Sequence, residues 1–144
     1  MFKVIAIILL LLSVISCNIS SPTNNCCISA VTNTTSYSGI TNIDVTLKNE
    51  TDRIIYLTHC GGQIGKYLER YDSTWTEAGD IAIVCLAIYA SGSVPFQPGQ
   101  TIKDTIIFSN PSGKYRLKYP YSFKEDQESQ GYILSNKFNY INPR

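Results

Sequence analysis

Hydrophobic and polar positions follow three rhythms along this chain. An unbroken apolar run, Val4 to Leu12, follows Lys3 and gives way to Val14-Ile15-Ser16-Cys17. It is shorter than the roughly 20 residues that a transmembrane helix needs. A polar stretch comes next, Asn18 to Asn25, with Ser20, Ser21 and Pro22 inside it. From there the dominant period is two. Ile28 to Val31 predicts a first short strand, and Asn33 to Ser38 is rich in turn residues. Ile43, Val45 and Leu47 alternate with Asp44, Thr46 and Lys48, the pattern of a half-buried strand. Asn49-Glu50-Thr51-Asp52 reads as a turn. Ile54 to Thr58 reads as the next strand, so the two are expected to pair as an antiparallel hairpin, ended by His59-Cys60-Gly61-Gly62.

Further on, Tyr67, Glu69 and Tyr71 fall on one side of a strand and Leu68 and Arg70 on the other. Trp75 follows a turn at Asp72-Ser73. Ile81 to Ala90 is apolar almost throughout. Its β-branched residues favour extended chain over a buried helix, though periodicity does not separate the two. Pro98-Gly99 turns the chain into Thr101 to Phe108, where Ile102, Ile106 and Phe108 share a face. Beyond a turn at Asn110 to Gly113, Tyr115, Leu117 and Tyr119 alternate with Lys114, Arg116 and Lys118. Ser122 to Gln130 is a polar, charged loop, and Ile133-Leu134 with Lys137 to Ile141 supplies a last strand or two. About seven or eight short strands, with turns about every ten residues, predict an all-β antiparallel sandwich. No amphipathic helix and no repeat interrupts it, so residues 26–144 read as one domain.

The beginning of the chain has the order of a secretory signal: a positive end, an apolar core, a small residue, then the cut. Ser16-Cys17 at that cut resembles a bacterial lipobox. The resemblance implies a lipoprotein signal peptide over residues 1–16 and lipid on Cys17, with residues 17–25 as a flexible tether. One acyl chain holds a protein to a bilayer only marginally, whereas two or more anchor it stably. The membrane is then a partner through Cys17, and the compartment is the bacterial cell envelope. An Asp directly after the lipidated Cys retains some Gram-negative lipoproteins in the inner membrane. Here Asn18 follows, which favours the outer membrane in such a host.

Composition narrows the partners. Of 12 basic residues Lys3 leaves with the leader, so 11 face 11 acidic ones in the mature chain. That balance argues against nucleic acid, which calls for clustered positive charge. With Cys17 assigned to lipid, Cys26, Cys27, Cys60 and Cys85 remain. An exported chain sits where disulfides persist, and four cysteines allow 3 pairings.

Several stretches together carry a wider resemblance: Val45-Thr46-Leu47-Lys48-Asn49, Cys60-Gly61-Gly62, Trp75, Cys85, Pro98-Gly99, Gly113-Lys114-Tyr115-Arg116-Leu117 and Ser135-Asn136-Lys137-Phe138. In that order they resemble an immunoglobulin-like domain that recurs, mostly uncharacterised, in bacterial lipoproteins. The Asn-ended strand, the Trp and the Pro-Gly turn are also distantly similar to the intracellular proteinase inhibitor family, which implies inhibition as the alternative function. Ser112-Gly113-Lys114-Tyr115 looks like the tyrosine corner of immunoglobulin-type sandwiches, with Leu117 where antibody-type domains place their second core Cys. Cys60 and Cys85 are the first choice for a disulfide, and the resemblance supports it. The bridge would close a loop of ~25 residues, worth about 3 kcal/mol. For Cys26 and Cys27 a bond local to the N-terminal segment ranks first, and crossed or intermolecular pairing stays open.

Candidate chemistry is sparse. His59-Cys60 suggests a nucleophile and its base, but strand neighbours point to opposite faces. The Cys and His spacing matches no zinc pattern. Glu69, Glu77, Asp80 and Asp104 are scattered carboxylates, read as solvated surface. Lys114, Arg116 and Lys118 form a basic stripe, read as an outward strand face. Asn18, Asn33 and Asn49 match the N-x-Ser/Thr pattern, though glycan is not expected on them in a bacterial chain. No cofactor or metal is implied. The expectation is a non-enzymatic binding or structural module, ahead of an inhibitor and then an enzyme of unrecognised type. Its working surface is the segment from Tyr121 to Tyr132, with Lys124, Glu125, Asp126 and Glu128 between, because sandwich loops commonly carry recognition. The ligand class is an envelope protein or a glycan.

Overall fold

The computed structural model describes residues 28–60, 62–78 and 91–143. The predicted signal peptide, Cys17, the tether, Cys26, Cys27, Cys85 and the whole apolar run Ile81 to Ala90 lie outside the described residues. Among the described residues twelve strands run in order: β1 (Ile28–Thr32), β2 (Ser36–Ser38), β3 (Thr41–Asn49), β4 (Ile55–Cys60), β5 (Gln63–Ile64), β6 (Tyr67–Asp72), β7 (Thr74–Glu77), β8 (Ser91–Phe96), β9 (Thr101–Phe108), β10 (Gly113–Ser122), β11 (Gly131–Leu134) and β12 (Phe138–Ile141). None of the described residues is helical.

Two sheets face each other. The smaller has the order β1-β3-β9. The larger runs β2-β12-β10-β4-β5, with β11 and β6 also on β10, β7 on β6 and β8 on β4. All pairs are antiparallel except β2 with β12. With β1, β3 and β9 on one sheet and β4, β10 and β12 on the other, the chain follows the strand sequence of an immunoglobulin-like sandwich. The fold class is as expected. The strand count exceeds seven or eight because β10 is long enough to hold two partners on each side. Arg70–Tyr67 of β6 and then Leu57–Tyr56 of β4 pair along one edge, and β12 then β11 along the other.

The expected hairpin between the strands at Ile43 and Ile54 does not form. β3 pairs with β1 and β9, whereas β4 belongs to the opposite sheet. Asn49 makes the crossing possible. Its side chain is fully buried, donating to the carbonyls of Arg53 and Phe96 and accepting from the Thr51 N–H and hydroxyl. A turn that leaves one sheet for the other strands backbone groups in the interior, and one amide side chain satisfies three of them together with the Thr51 hydroxyl. That engagement also removes Asn49 as a glycan acceptor.

Alternation on β3 buries Ile43, Val45 and Leu47, which meet Leu57, Tyr115, Leu117 and Tyr119 of the facing sheet in one core. Each fully buried aliphatic side chain contributes about 1.5–3 kcal/mol. One end of the core is aromatic, with Phe108 edge-on to Tyr115, Phe138 and Tyr140 at 4.8–5.6 Å. The Tyr115 hydroxyl donates to the Pro111 carbonyl at 2.6 Å, the bond a tyrosine corner requires. At Gln97–Gln100 the chain reverses with Pro98 second and Gly99 third at φ 74°, the residue order of a type II turn.

Candidate functional site

On its outer side the larger sheet carries the residues of β10 that alternate with its core positions: Lys114 is exposed, Arg116 and Lys118 are half-buried, and Pro120 and Ser122 are covered. Two features lie along this face, one at each end.

At the Ser122 end is a cleft of about 250 Å³, lined by Tyr56 and Thr58 of β4, Gly92 and Ser93 of β8, Tyr121 and Ser122 of β10, and Asp126, Gln127 and Ser129. The segment 123–130 folds back to make one wall. Gln130 N–H donates to the Tyr121 carbonyl, and Phe123 N–H to the Gln130 side chain. Asp126, in a left-handed conformation (φ 51°), is held by Ser93, whose hydroxyl donates to its carboxylate and accepts from its N–H. Tyr121 lies across Gly131, its cross-strand partner. A Cβ at Gly131 would stand 2.7 Å from the phenol carbon and oxygen, so the ring rests there only because glycine does.

Of the residues singled out from the sequence, the cleft brings together Tyr121 and Asp126. Lys124, Glu125 and Glu128 are exposed on the segment but do not line it. Tyr132 lies elsewhere. Opposite Pro120 in the register, it sits against Lys118 rather than at the Ser122 end of the strand. Tyr56, Thr58, Ser93 and Gln127 were not anticipated. The Ser122–Tyr56 pairing that gathers them joins strands 66 positions apart, and only the small-residue run Ser91-Gly92-Ser93 hints at a close approach.

Rings and charges interleave along the rest of the face. Arg116 donates to Glu69, and Lys118 reaches Glu69 at 3.5 Å and Glu77 at 3.2 Å. Lys118 also sits 4.3 Å from the ring centre of Tyr132 and 5.6 Å from that of Tyr67. The Arg116 guanidinium lies 4.2 Å from the centre of Trp75, and Trp75 packs on Tyr71 at 5.3 Å. Burial lowers the proton affinity of Lys118, but the Glu77 hydrogen bond and the charges of Glu69 and Glu77 outweigh it and hold the ammonium above its usual range. The basic stripe is therefore an outward strand face, as expected, but two of its three charges are met by carboxylates. Glu69 is not solvated surface: its side chain is about 10% exposed. Glu77 remains exposed, and Asp80 lies outside the described residues.

Asp104 also departs from expectation. It occupies the inward phase of β9 with Ile102, Ile106 and Phe108, and pairs across the sandwich with Lys66; the two side chains are 9% and 3% exposed. Tyr119 donates to the same carboxylate at 3.0 Å. Burial, then the Asp104 charge, then this bond push the Tyr119 phenol far above its usual range.

His59 and Cys60 end β4, and Cys60 is buried. Cys60 is not a free thiol. Among the described residues, no three His, Cys, Asp or Glu side chains gather as a metal site.

No protein-family model matches the chain, and no curated protein matches it. Among solved structures it is similar to a chain of one described as "Structural basis of T cell specificity and activation by the bacterial superantigen toxic shock syndrome toxin-1". The likeness spans 80% of this chain and 98% of that one, at 7% identity and a TM-score of 0.37, and carries no argument about function.

Proposed function

We propose that this chain is an envelope lipoprotein, held to a membrane by lipid on Cys17, whose sandwich domain binds a partner without catalysing a reaction. The observation that carries the reading is the cleft beneath segment 123–130. Its lining is hydroxyls, amides and backbone, with Asp126 as its one carboxylate, already bonded to Ser93. Such a lining suits recognition of a polar group by several weak hydrogen bonds. The Cys60 partner in this proposal is Cys85, a bond that fastens β4 to the apolar run before β8.

Two measurements test the reading. Gly131→Ala drives a Cβ into the ring of Tyr121, which lines the cleft and also belongs to the buried core, so Ser93→Ala, which frees Asp126 from the cleft wall and removes no core side chain, is measured beside it. Capture of a partner from envelope extract by the full-length protein should drop at least about tenfold in each, a loss of ~1.4 kcal/mol, with the thermal midpoint little changed in Ser93→Ala. Undiminished capture overturns the cleft as the binding site. Cys17→Ser should abolish incorporation of a labelled fatty acid and release the protein into the soluble fraction. A variant that stays membrane-bound and labelled overturns the anchor.

A further inference from the structure

We infer that the outer face holds a second binding site, separate from the cleft, built for an anionic sugar: Trp75 and Tyr71, tilted against each other, form an angled aromatic platform flanked by the ammonium groups of Lys114 and Lys137, which have no carboxylate partner among the described residues. The platform sits at the Lys114 end of β10 and the cleft at the Ser122 end, about 26 Å apart at the usual strand rise. Neither feature needs the other.

Three observations converge on this chemistry. First, the rings are held in place before any ligand arrives. Trp75 rests on the Arg116 guanidinium, which Glu69 fixes, and Tyr71 packs against Trp75 with an interplanar angle of 53°. Tyr71 keeps 42% of its surface in water. An exposed, braced aromatic surface offers apolar contact and a polar edge together at little ordering cost.

Second, charge is distributed unevenly along the face. Arg116 and Lys118 are matched by Glu69 and Glu77. Lys114 and Lys137 touch only rings: Lys114 lies 5.5 Å from the centre of Tyr71, and Lys137 lies 6.0 Å from that of Trp75. Neither has a carboxylate partner among the described residues. Both ammonium groups thus stand beside the contiguous Trp75–Tyr71 pair. A ligand that lays a ring face on Trp75 and Tyr71 brings its own anion between them.

Third, the face is more aromatic than aliphatic. The exposed Val31, Ile40, Ile54 and Ile107 belong to the smaller sheet or to turns, and Ile141, at the end of β12, is the large aliphatic side chain exposed at the Lys114 edge. A protein partner would want a desolvated apolar centre. A bilayer of anionic lipid would meet Glu69 and Glu77 on the same plane. A sugar combines flat C–H faces with hydroxyls for the carboxylates and guanidinium to bond, and a uronic acid adds the anion.

The test uses the full-length protein in detergent and polygalacturonate as the probe. Calorimetry should show binding that weakens about tenfold when the carboxylates are methyl-esterified, and about tenfold again for Trp75→Ala, the loss expected of one removed ring contact. Lys114→Gln with Lys137→Gln, both exposed and outside the core, should keep the thermal midpoint and erase the preference for the acid over its ester. Lack of binding to polygalacturonate at millimolar uronate overturns the inference, as does binding undiminished in Trp75→Ala. Binding instead to vesicles containing anionic phospholipid, lost in Trp75→Ala, would assign the platform to a membrane surface and overturn the sugar. Gly131→Ala should leave polygalacturonate binding unchanged, so failure of the cleft and failure of the platform read out separately.

Discussion

Two clusters of opposite charge sit on either side of β10 and behave differently. Lys66, Asp104 and Tyr119 meet inside the sandwich, joining β9 of the smaller sheet to the larger one. Glu69, Arg116, Lys118 and Glu77 meet on the outer face, within one sheet. The inner pair is shut away from water. The outer network runs from Glu69, about 10% exposed, to Glu77, 60% exposed. Inside, the charges satisfy one another or nothing does, so the cluster fixes how the sheets stack. Outside, water substitutes for a lost partner, so the cluster mainly sets where Trp75, Tyr67 and Tyr132 lie.

Breaking the inner cluster should give the largest effect. Asp104→Ala leaves the Lys66 ammonium buried and unpaired, at a cost of about 3–5 kcal/mol. Denaturant unfolding should show it as a lower midpoint at unchanged slope. Replacing both partners, Asp104→Leu with Lys66→Met, should recover most of the loss, since a buried ion pair is often no better than apolar packing of similar volume. If the double variant is as unstable as Asp104→Ala, the damage lies in packing rather than in an uncompensated charge.

Tyr119→Phe should cost about 1–2 kcal/mol near neutral pH, the range for a hydrogen bond to a charged acceptor. It also carries a pH signature. The folded phenol is held far above its ordinary value of about 10, chiefly by burial, then by Asp104. The unfolded state therefore releases this proton first. Stability is whole below pH ~10 and falls as pH climbs from there toward the folded value. Tyr115 is raised as well, by burial above all, and adds to the same slope. Tyr119→Phe should flatten the alkaline fall in stability. An unchanged slope would mean that other groups dominate it.

The two clusters were also unequally legible in the sequence. Alternation placed Tyr67, Glu69 and Tyr71 together, and Lys114, Arg116 and Lys118 together, and both sets do face outward. That β6 lies against β10 was beyond reach, since pairing across more than forty residues leaves no periodic trace. Asp104 carried a readable signal that its charge obscured: it shares the phase of Ile102, Ile106 and Phe108, so alternation alone turns it inward. Asn49 shares the phase of Ile43, Val45 and Leu47 in the same way, and it too is buried. A polar residue in the apolar phase of a strand marks a built interior contact, here a cross-sheet ion pair and a sheet-to-sheet turn. The cleft was half legible. Composition marked segment 121–132 as a loop, but its opposite wall comes from β4 and β8, which only the fold brings near.

On the outer face, Glu69→Gln should cost about 1–2 kcal/mol, less than Asp104→Ala because Arg116 and Lys118 remain partly hydrated. Its sharper effect should be on the rings. With Arg116 released, Trp75 loses the guanidinium beneath it, and its fluorescence should shift to longer wavelength and quench more readily with iodide. A cost equal to that of Asp104→Ala would erase the distinction between the two clusters.

The smallest change should come from Glu77→Gln. Its exposed carboxylate donates little to stability, within about 0.5 kcal/mol. Yet the Glu77 hydrogen bond is the largest influence raising the proton affinity of Lys118, with the charges of Glu69 and Glu77 behind it, against a lowering by burial. A lysine held above its unfolded value of about 10.4 contributes stability that is whole below that pH and lost as pH rises through the folded value. Removing Glu77 leaves burial opposed by Glu69 and Tyr132 alone, so Lys118 should titrate at lower pH while the midpoint of unfolding at pH 7 barely moves. Following the Lys118 side chain by NMR through alkaline titration measures this directly. An unmoved titration would place control of Lys118 with Glu69, the buried end of the network, and make the outer cluster more like the inner one than its exposure implies.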